Sequence, residues 1–260
     1  MQLKQQTAVI TGASSGIGRA IALAFAQQGA NLILHAKSNQ AGLEDTAAKA
    51  EQYGIQCTTH LADLTCPESR ERFVQTALQT GEINIWINNA GADILTNDNS
   101  KLSFTDKLQL LWAMDVQGTI EICRLVSEPL TEVGKHSNAV ILNMGWDQAE
   151  VGQSGDSGQL FGPTKAAVMA YSRSLARTLA PHVRVNCLAP GWIRTSWGNE
   201  APNHWEQRAT HEALMKRWGT PEDVANSAVY AVAPTSSFIT GQTIQVNGGL
   251  NHEQIFPPQP

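Results

Sequence analysis

Apolar and polar positions along this chain alternate between two periods. Ala8, Val9 and Ile10 form an unbroken apolar run, the mark of a short strand buried on both faces, and Ile17, Ala20, Ile21, Ala24 and Phe25 then recur at helical spacing. The alternation continues to the C-terminal part. Further short strands are predicted at 31–35, 56–61, 83–87, 139–144, 183–188 and 242–246, of which 83–87 and 139–144 are apolar runs. Helical periodicity covers 43–53, a long span around 104–133 with room for a break, and about 159–179. Residues 36–42 are polar and read as a loop.

Strands alternating with helices of this length imply right-handed βαβ crossovers and a parallel sheet covered on both faces. The expected fold class is α/β, a single-domain Rossmann-type three-layer sandwich with a doubly wound parallel sheet. No linker, repeat or low-complexity stretch divides the 260 residues, so one domain is expected over 1–260. A net charge of -5 without a basic cluster gives no reason to expect nucleic acid. No apolar run is long enough to cross a bilayer, and the first strand begins too early for a secretory leader, so the expected address is cytoplasmic, away from membranes. Cys57, Cys66, Cys123 and Cys187 lack metal-ligand spacing and the histidines lack a His-Glu-x-x-His pair, so reduced thiols and no metal are expected.

Residues 11–18 read T-G-A-S-S-G-I-G and join the first strand to the first helix. Glycine permits a tight turn and close approach to a ligand, and the unpaired N–H groups at a helix start offer a partly positive pocket for a pyrophosphate. A purely structural turn would use the same glycines. In a doubly wound sheet an acid at the end of the second strand would hold both adenosine ribose hydroxyls. No acid occurs between Asn31 and Gln40, and Lys37 and Ser38 sit where a phosphate would bind, which favours NADP(H) over NAD(H). The plain alternative is a solvated lysine.

The T-G-x-x-x-G-I-G turn, Asp63 in L-A-D-L, N-N-A-G at 88–91, P-G-W-I-R-T at 190–195 and I-T-G-Q-T-I-Q-V-N-G-G at 239–249 occur in one order. In these motifs nearly the whole chain resembles the short-chain dehydrogenase/reductase family, classical type. The resemblance implies that Gly12, Ser14, Ser15, Ile17 and Gly18 cradle the pyrophosphate, and that Asp63 and Leu64 meet the adenine. It places Asn89, Ala90 and Gly91 near the adenosine ribose, and Pro190, Gly191, Ile193 and Thr195 at the nicotinamide end, Ile193 and Thr195 at its carboxamide. The implied chemistry is hydride transfer between nicotinamide and a carbonyl or alcohol carbon. It ordinarily uses a Tyr acid, a Lys four residues later, a Ser that binds the substrate oxygen and an Asn that organises a proton relay.

This chain departs from that set. The Tyr-x-x-x-Lys segment reads Phe161-Gly162-Pro163-Thr164-Lys165, so Lys165 remains to hold the nicotinamide ribose while a phenyl ring replaces the acid. Trp146 stands at the Ser position if the gap to Phe161 carries about two extra residues, and Gln148 if it does not. Asp115 stands at the Asn position. Losing a positioned acid lowers a rate by roughly 10²–10⁴, about 3–5 kcal/mol of barrier. The polar stretch 145–158 offers substitutes, Asp147 first and then Gln148, Glu150 and Asp156, since a carboxyl partly desolvated beside Trp146 would have a raised pKa. Asp156 and Ser157 also fit a helix N-cap. Asp115 has two readings, a buried ion pair with Lys165 or a relay through water. The candidate catalytic set is therefore Lys165, Asp147 and Asp115.

The resemblance also implies a variable substrate lid at about 195–216. Trp146, Trp192, Trp197 and Trp205 would line a pocket for an apolar or ring-bearing small molecule, with His204, Arg208 and His211 as polar contacts; lid packing or a subunit contact would suit the same tryptophans. Thr220 and Pro221 fit the start of a helix. The family resemblance implies a homo-oligomer, dimer or tetramer, and the tail 256–260 is expected to be loosely ordered. Two functions fit: an oxidoreductase with a rebuilt active site acting on a small carbonyl, alcohol, imine or enone, or a non-catalytic cofactor sensor or scaffold subunit of the same fold.

Overall fold

The computed structural model describes residues 1–96, 98–195 and 203–249. Seven strands, β1 (Thr7–Ile10), β2 (Asn31–Ala36), β3 (Cys57–Leu61), β4 (Ile85–Asn88), β5 (Val140–Met144), β6 (Arg184–Pro190) and β7 (Thr243–Val246), form one sheet in the order β3-β2-β1-β4-β5-β6-β7. Every pairing is parallel. Because β1 pairs β2 on one side and β4 on the other, the order of strands reverses there. Ligands bind such sheets at that switch point, outside the carboxyl ends of the strands.

The unbroken apolar runs follow from having two covered faces. Successive strand side chains point to opposite sides. Ala8, Ile10, Leu32, Leu34, Ile85, Ile87, Val140 and Leu142 join one core with residues of α1 (Gly16–Gln27), α2 (Gln40–Glu51) and α8 (Pro221–Val232). Val9, Ile33, Trp86 and Ile141 join the other with residues of α3 (Pro67–Gln79), α5 (Thr119–Gly134) and α6 (Asp156–Leu179). These helices are the outer layers of the sandwich.

Several boundaries differ from expectation for local reasons. Helix α2 starts within the expected loop because the Asn39 side chain accepts from the Gly42 N–H. Helix α3 follows β3 in a stretch whose polar composition hides its periodicity, with Phe73, Val74 and Ala77 buried. The long span around 104–133 does not break. Helix α4 (Phe104–Leu111) runs through a π-helical stretch, Trp112–Gly118, into α5. Asp115 lies within that π stretch and is buried. Helix α6 begins at Asp156, and its cap is Gly155 at φ 85, without a side-chain bond, so neither Asp156 nor Ser157 is the N-cap. Thr220 does cap α8, in a box closed by Asp223. Among the described residues no helix is long and apolar enough to cross a membrane, and no group of three metal-ligating side chains forms.

Candidate active site

Two hollows meet at Asn89 on the carboxyl edge of the sheet. The first, about 360 Å³, is lined by the β1–α1 turn at Gly12, Ser14 and Ser15, by Ala36 at the end of β2 and Lys37 after it, and by Ala90 and Gly91 after β4. Gly12 adopts φ +69, and a Cβ there would lie 2.9 Å from Ala90 Cα; at Gly18 it would lie 2.1 Å from the Gly12 carbonyl oxygen. No larger residue fits either position. The Asn89 amide donates to the Thr11 and Gly12 carbonyls, and the Thr11 hydroxyl accepts from the Asn89 and Ala90 N–H groups. The turn is therefore pinned to the end of β4.

His35 lines this hollow and was not anticipated. Its Nδ1 accepts from the Gly12 N–H at 3.4 Å and its Nε2–H donates to the Ala62 carbonyl at 2.9 Å, which requires the neutral ring. Burial pushes its pKa down to about 4. The one signal in the sequence was a histidine at the end of an apolar strand. Asp63 turns aside from the hollow, which Ala62, Leu64 and Thr65 line in its place. Its carboxylate meets Lys37 Nζ at 2.8 Å and accepts from Thr65. Burial opposes its charge, but hydrogen bonds from Lys37 and Thr65 outweigh burial and hold the carboxyl at about 2. Ser38 is exposed and does not line the hollow.

The second hollow, about 420 Å³, runs between α6 and the loop after β6. Ile17, Asn89, Lys165, Pro190, Gly191, Ile193 and Thr195 form the end adjoining the first. Trp146, Phe161, Trp192 and Trp205 line it as well, with Gln153 and Ser157. Trp146 and Phe161 rings stand 6.2 Å apart at 65°, edge to face. Ser157, Phe161 and Lys165 are spaced one turn apart, so one stripe of α6 faces the cleft. Lys165 Nζ lies 2.8 Å from Asp115 Oδ2 and 3.4 Å from the Met144 carbonyl. The other Asp115 oxygen accepts from the Ala92 N–H at 2.8 Å. Among the described residues lining this cleft, Lys165 is the one ionisable side chain.

The chain matches the family described as enoyl-(acyl carrier protein) reductase over residues 12–251. It is 35% identical to an uncharacterized oxidoreductase of Mycobacterium tuberculosis, over 100% of this chain and 97% of the relative. The chain is a short-chain dehydrogenase/reductase. It is also 30% identical to L-rhamnose 1-dehydrogenase (NADP(+)) of Thermoplasma acidophilum, over 96% of this chain and 98% of that one. A 7 alpha-hydroxysteroid dehydrogenase, solved with NADH and 7-oxo glycochenodeoxycholic acid, superposes with TM-score 0.86 at 27% identity over 97% of this chain and 96% of that one.

In this short-chain dehydrogenase/reductase none of the expected substitute acids lines the cleft. The 3₁₀ turn Asp147–Ala149 sends Trp146 to the cleft and Asp147 inward, beneath Gly191. There Asp147 Oδ2 accepts from the Asn247 amide at 3.2 Å, while Oδ1 is buried without a partner. Burial pushes this carboxyl up to about 7 against the Asn247 bond, and the nearby Glu212 charge adds to the rise. Asp147 is not among the cleft-lining residues. Gln148 is buried outside the lining, Glu150 faces Arg173 at 3.8 Å, and Asp156 is exposed in the first turn of α6.

The lid residues divide similarly. Helix α7 (Asn203–Glu212) brings Trp205 against Trp192, ring centroids 5.3 Å apart. Arg208 does not line the cleft; it pairs with Glu212 at 2.6 Å, and its guanidinium lies 5.5 Å and 5.4 Å from the Trp192 and Trp205 ring centroids. Glu212 also accepts the Trp192 indole N–H at 2.7 Å. His211 is not among the cleft-lining residues. Trp197, the His204 side chain and the tail 256–260 lie outside the described residues.

Proposed function

We propose that this chain is an NADP(H)-binding oxidoreductase acting on a small ring-bearing substrate whose acceptor group needs no phenolic acid, an imine or an activated alkene. The observation that carries this reading is a hollow at the β1–α1 turn that meets, at Asn89, a cleft keeping Lys165 but presenting Phe161 and Trp146 where the family's tyrosine and serine are expected. The cradle at Gly12 and Gly18, which a Cβ would fill, suits a pyrophosphate against the start of α1. Ser14, Ser15, Ile17 and Asn89 to Gly91 would hold it, with Leu64 at the adenine end, and Pro190, Gly191, Ile193, Thr195 and Lys165 would hold the nicotinamide end. A bound nicotinamide supplies or accepts hydride.

The remaining roles belong to the chain. Asp115 keeps Lys165 paired and aimed at the cleft. The aromatic walls exclude water and orient a flat substrate. Phe161 stands where the family's tyrosine acid is expected and carries no proton to give to a developing alkoxide, which disfavours ordinary carbonyl reduction. The absence of an acid at the end of β2, with Lys37 at the hollow, supports NADP(H) over NAD(H). Exposed Trp112 and Phe104 on the outer surface support a homo-oligomer, dimer or tetramer.

Loss of both hydroxyls favours a second reading, a cofactor-reading sensor or scaffold without turnover. Titrating the purified protein with NADPH and NADH, then screening imines and enones by loss of NADPH absorbance, separates the two. Tight NADPH binding with turnover is expected. Binding without turnover of any compound would favour the sensor, and no binding of either nucleotide at millimolar concentration would contradict both.

A further inference from the structure

Trp146 and Phe161 present rings where the family's serine and tyrosine are expected, and Lys165, the one cation among the described lining residues, is paired with Asp115. Trp146 and Phe161 face it from the loop after β5 and from α6, and Trp192 and Trp205 close it from the lid side. Aromatic faces attract cations, most strongly where water is excluded. The Trp192 and Trp205 pair already does so at its outer side, where Arg208 rests within 5.5 Å of both ring centroids. Glu212 accepts the Trp192 N–H, which draws electron density toward the indole ring. Lys165 would repel a positive substrate if it stood alone, but Asp115 lies 2.8 Å from it and is buried. Among the described lining residues there is no other charge.

We propose that this cleft takes a cationic C=N group, an iminium carried by a small cyclic molecule, and that Trp146 and Phe161 are its specificity-determining residues. This deepens the oxidoreductase reading and rests on it. The chemistry balances without an acid. A C–H bond forms at the iminium carbon, the C=N π pair moves onto nitrogen and cancels its charge, and a dihydropyridine hydride donor is oxidised to a pyridinium. No proton is taken up when the nitrogen is fully substituted. Such a reaction needs no tyrosine acid, and the rings of Phe161 and Trp146, at the positions where the family's tyrosine and serine are expected, would stabilise the cation instead.

The test is calorimetric titration of the cofactor-free protein with two probes at alkaline pH. One is N-methyl dihydroisoquinolinium, a permanent cation. The other is dihydroisoquinoline, which has lost its proton there and is neutral. The cation should bind about tenfold more tightly than its neutral counterpart. In Trp146→Leu that advantage should fall below about threefold, and Phe161→Leu should reduce it in the same direction and carries the prediction if the first variant does not fold. Equal affinities in the native protein, no binding of either probe at millimolar concentration, or a preference that survives both substitutions would overturn the proposal. Because the titration needs neither nucleotide nor turnover, its failure is distinguishable from failure of the NADPH titration.

Discussion

Lys165 Nζ stands 2.8 Å from Asp115 Oδ2, and the Asp115 carboxylate is in turn held by the Ala92 N–H at the end of the strand β4 loop. The π-helical stretch makes this pair possible by turning Asp115 inward, where it is 2% exposed. It ties the π stretch between α4 and α5 to α6.

Removing one charge from such a pair leaves the other poorly solvated. Asp115→Asn keeps an acceptor for Ala92 but strands the Lys165 ammonium, and should lower unfolding free energy by about 2–4 kcal/mol in urea titrations. Lys165→Met strands the more deeply buried carboxylate and should be at least as damaging. The double variant Asp115→Asn/Lys165→Met should be less destabilised than the sum of the two, since each single change exposes the same lost partner.

His35 and Asp147 act on stability with opposite signs. The pKa of His35 falls from 6.5 to about 4 on folding, so the unfolded chain takes up the proton first and stability is lost as pH falls through that window. Asp147 rises from 3.8 to about 7, so the folded chain holds the proton longer and stability is lost as pH rises through its window. Each effect is on the order of 3–4 kcal/mol. His60 and Asp63 face the first group and Glu212 the second. The two contributions should largely cancel in the native protein. Chemical unfolding of Asp147→Asn should show stability rising from pH 4 toward 6.5, and His35→Gln the reverse slope.

Gly18 has no room for a side chain, because a Cβ would lie 2.1 Å from the Gly12 carbonyl oxygen. Gly18→Ala should shift the turn, lower stability by about 1–3 kcal/mol and weaken NADPH binding by more than the fold loss explains. Gly54→Ala provides the contrast: nothing lies near its Cβ position, and its penalty should come from its φ of +77 alone, without effect on NADPH affinity.

Lys37 is 62% exposed and is bound to Asp63. A ribose phosphate would compete for that ammonium. Lys37→Ala should weaken NADPH binding roughly tenfold while leaving NADH nearly unchanged. A parallel loss for both nucleotides would show that Lys37 serves the turn and not the phosphate.

Much of this architecture was legible in the sequence, because strands buried on both faces read as unbroken apolar runs and the glycine turn announces itself between a strand and a helix. Val9 and Trp86 could be placed in strands, yet which core each joins depends on the sheet. The direction of Asp147 was not legible. A 3₁₀ turn after β5 reverses its side chain relative to Trp146, and nothing in G-W-D-Q encodes which of the two faces the cleft. The π stretch around Asp115 keeps an ordinary helical pattern, so it too is invisible before folding. His35 was missed because a histidine ending an apolar run reads equally well as a surface residue. Gly155, and not the neighbouring Asp156, caps α6 because the chain arrives there at φ 85.

The central claim is hydride transfer in a cleft without a phenolic acid. It is tested most directly by incubating the protein with N-methyl dihydroisoquinolinium and NADPH deuterated at the transferable position, on each face in turn, and weighing the amine product. One deuterium in the product from one of the two labelled cofactors is predicted. Product lacking deuterium from both, or no product from a protein that binds NADPH and the cation, would contradict the account.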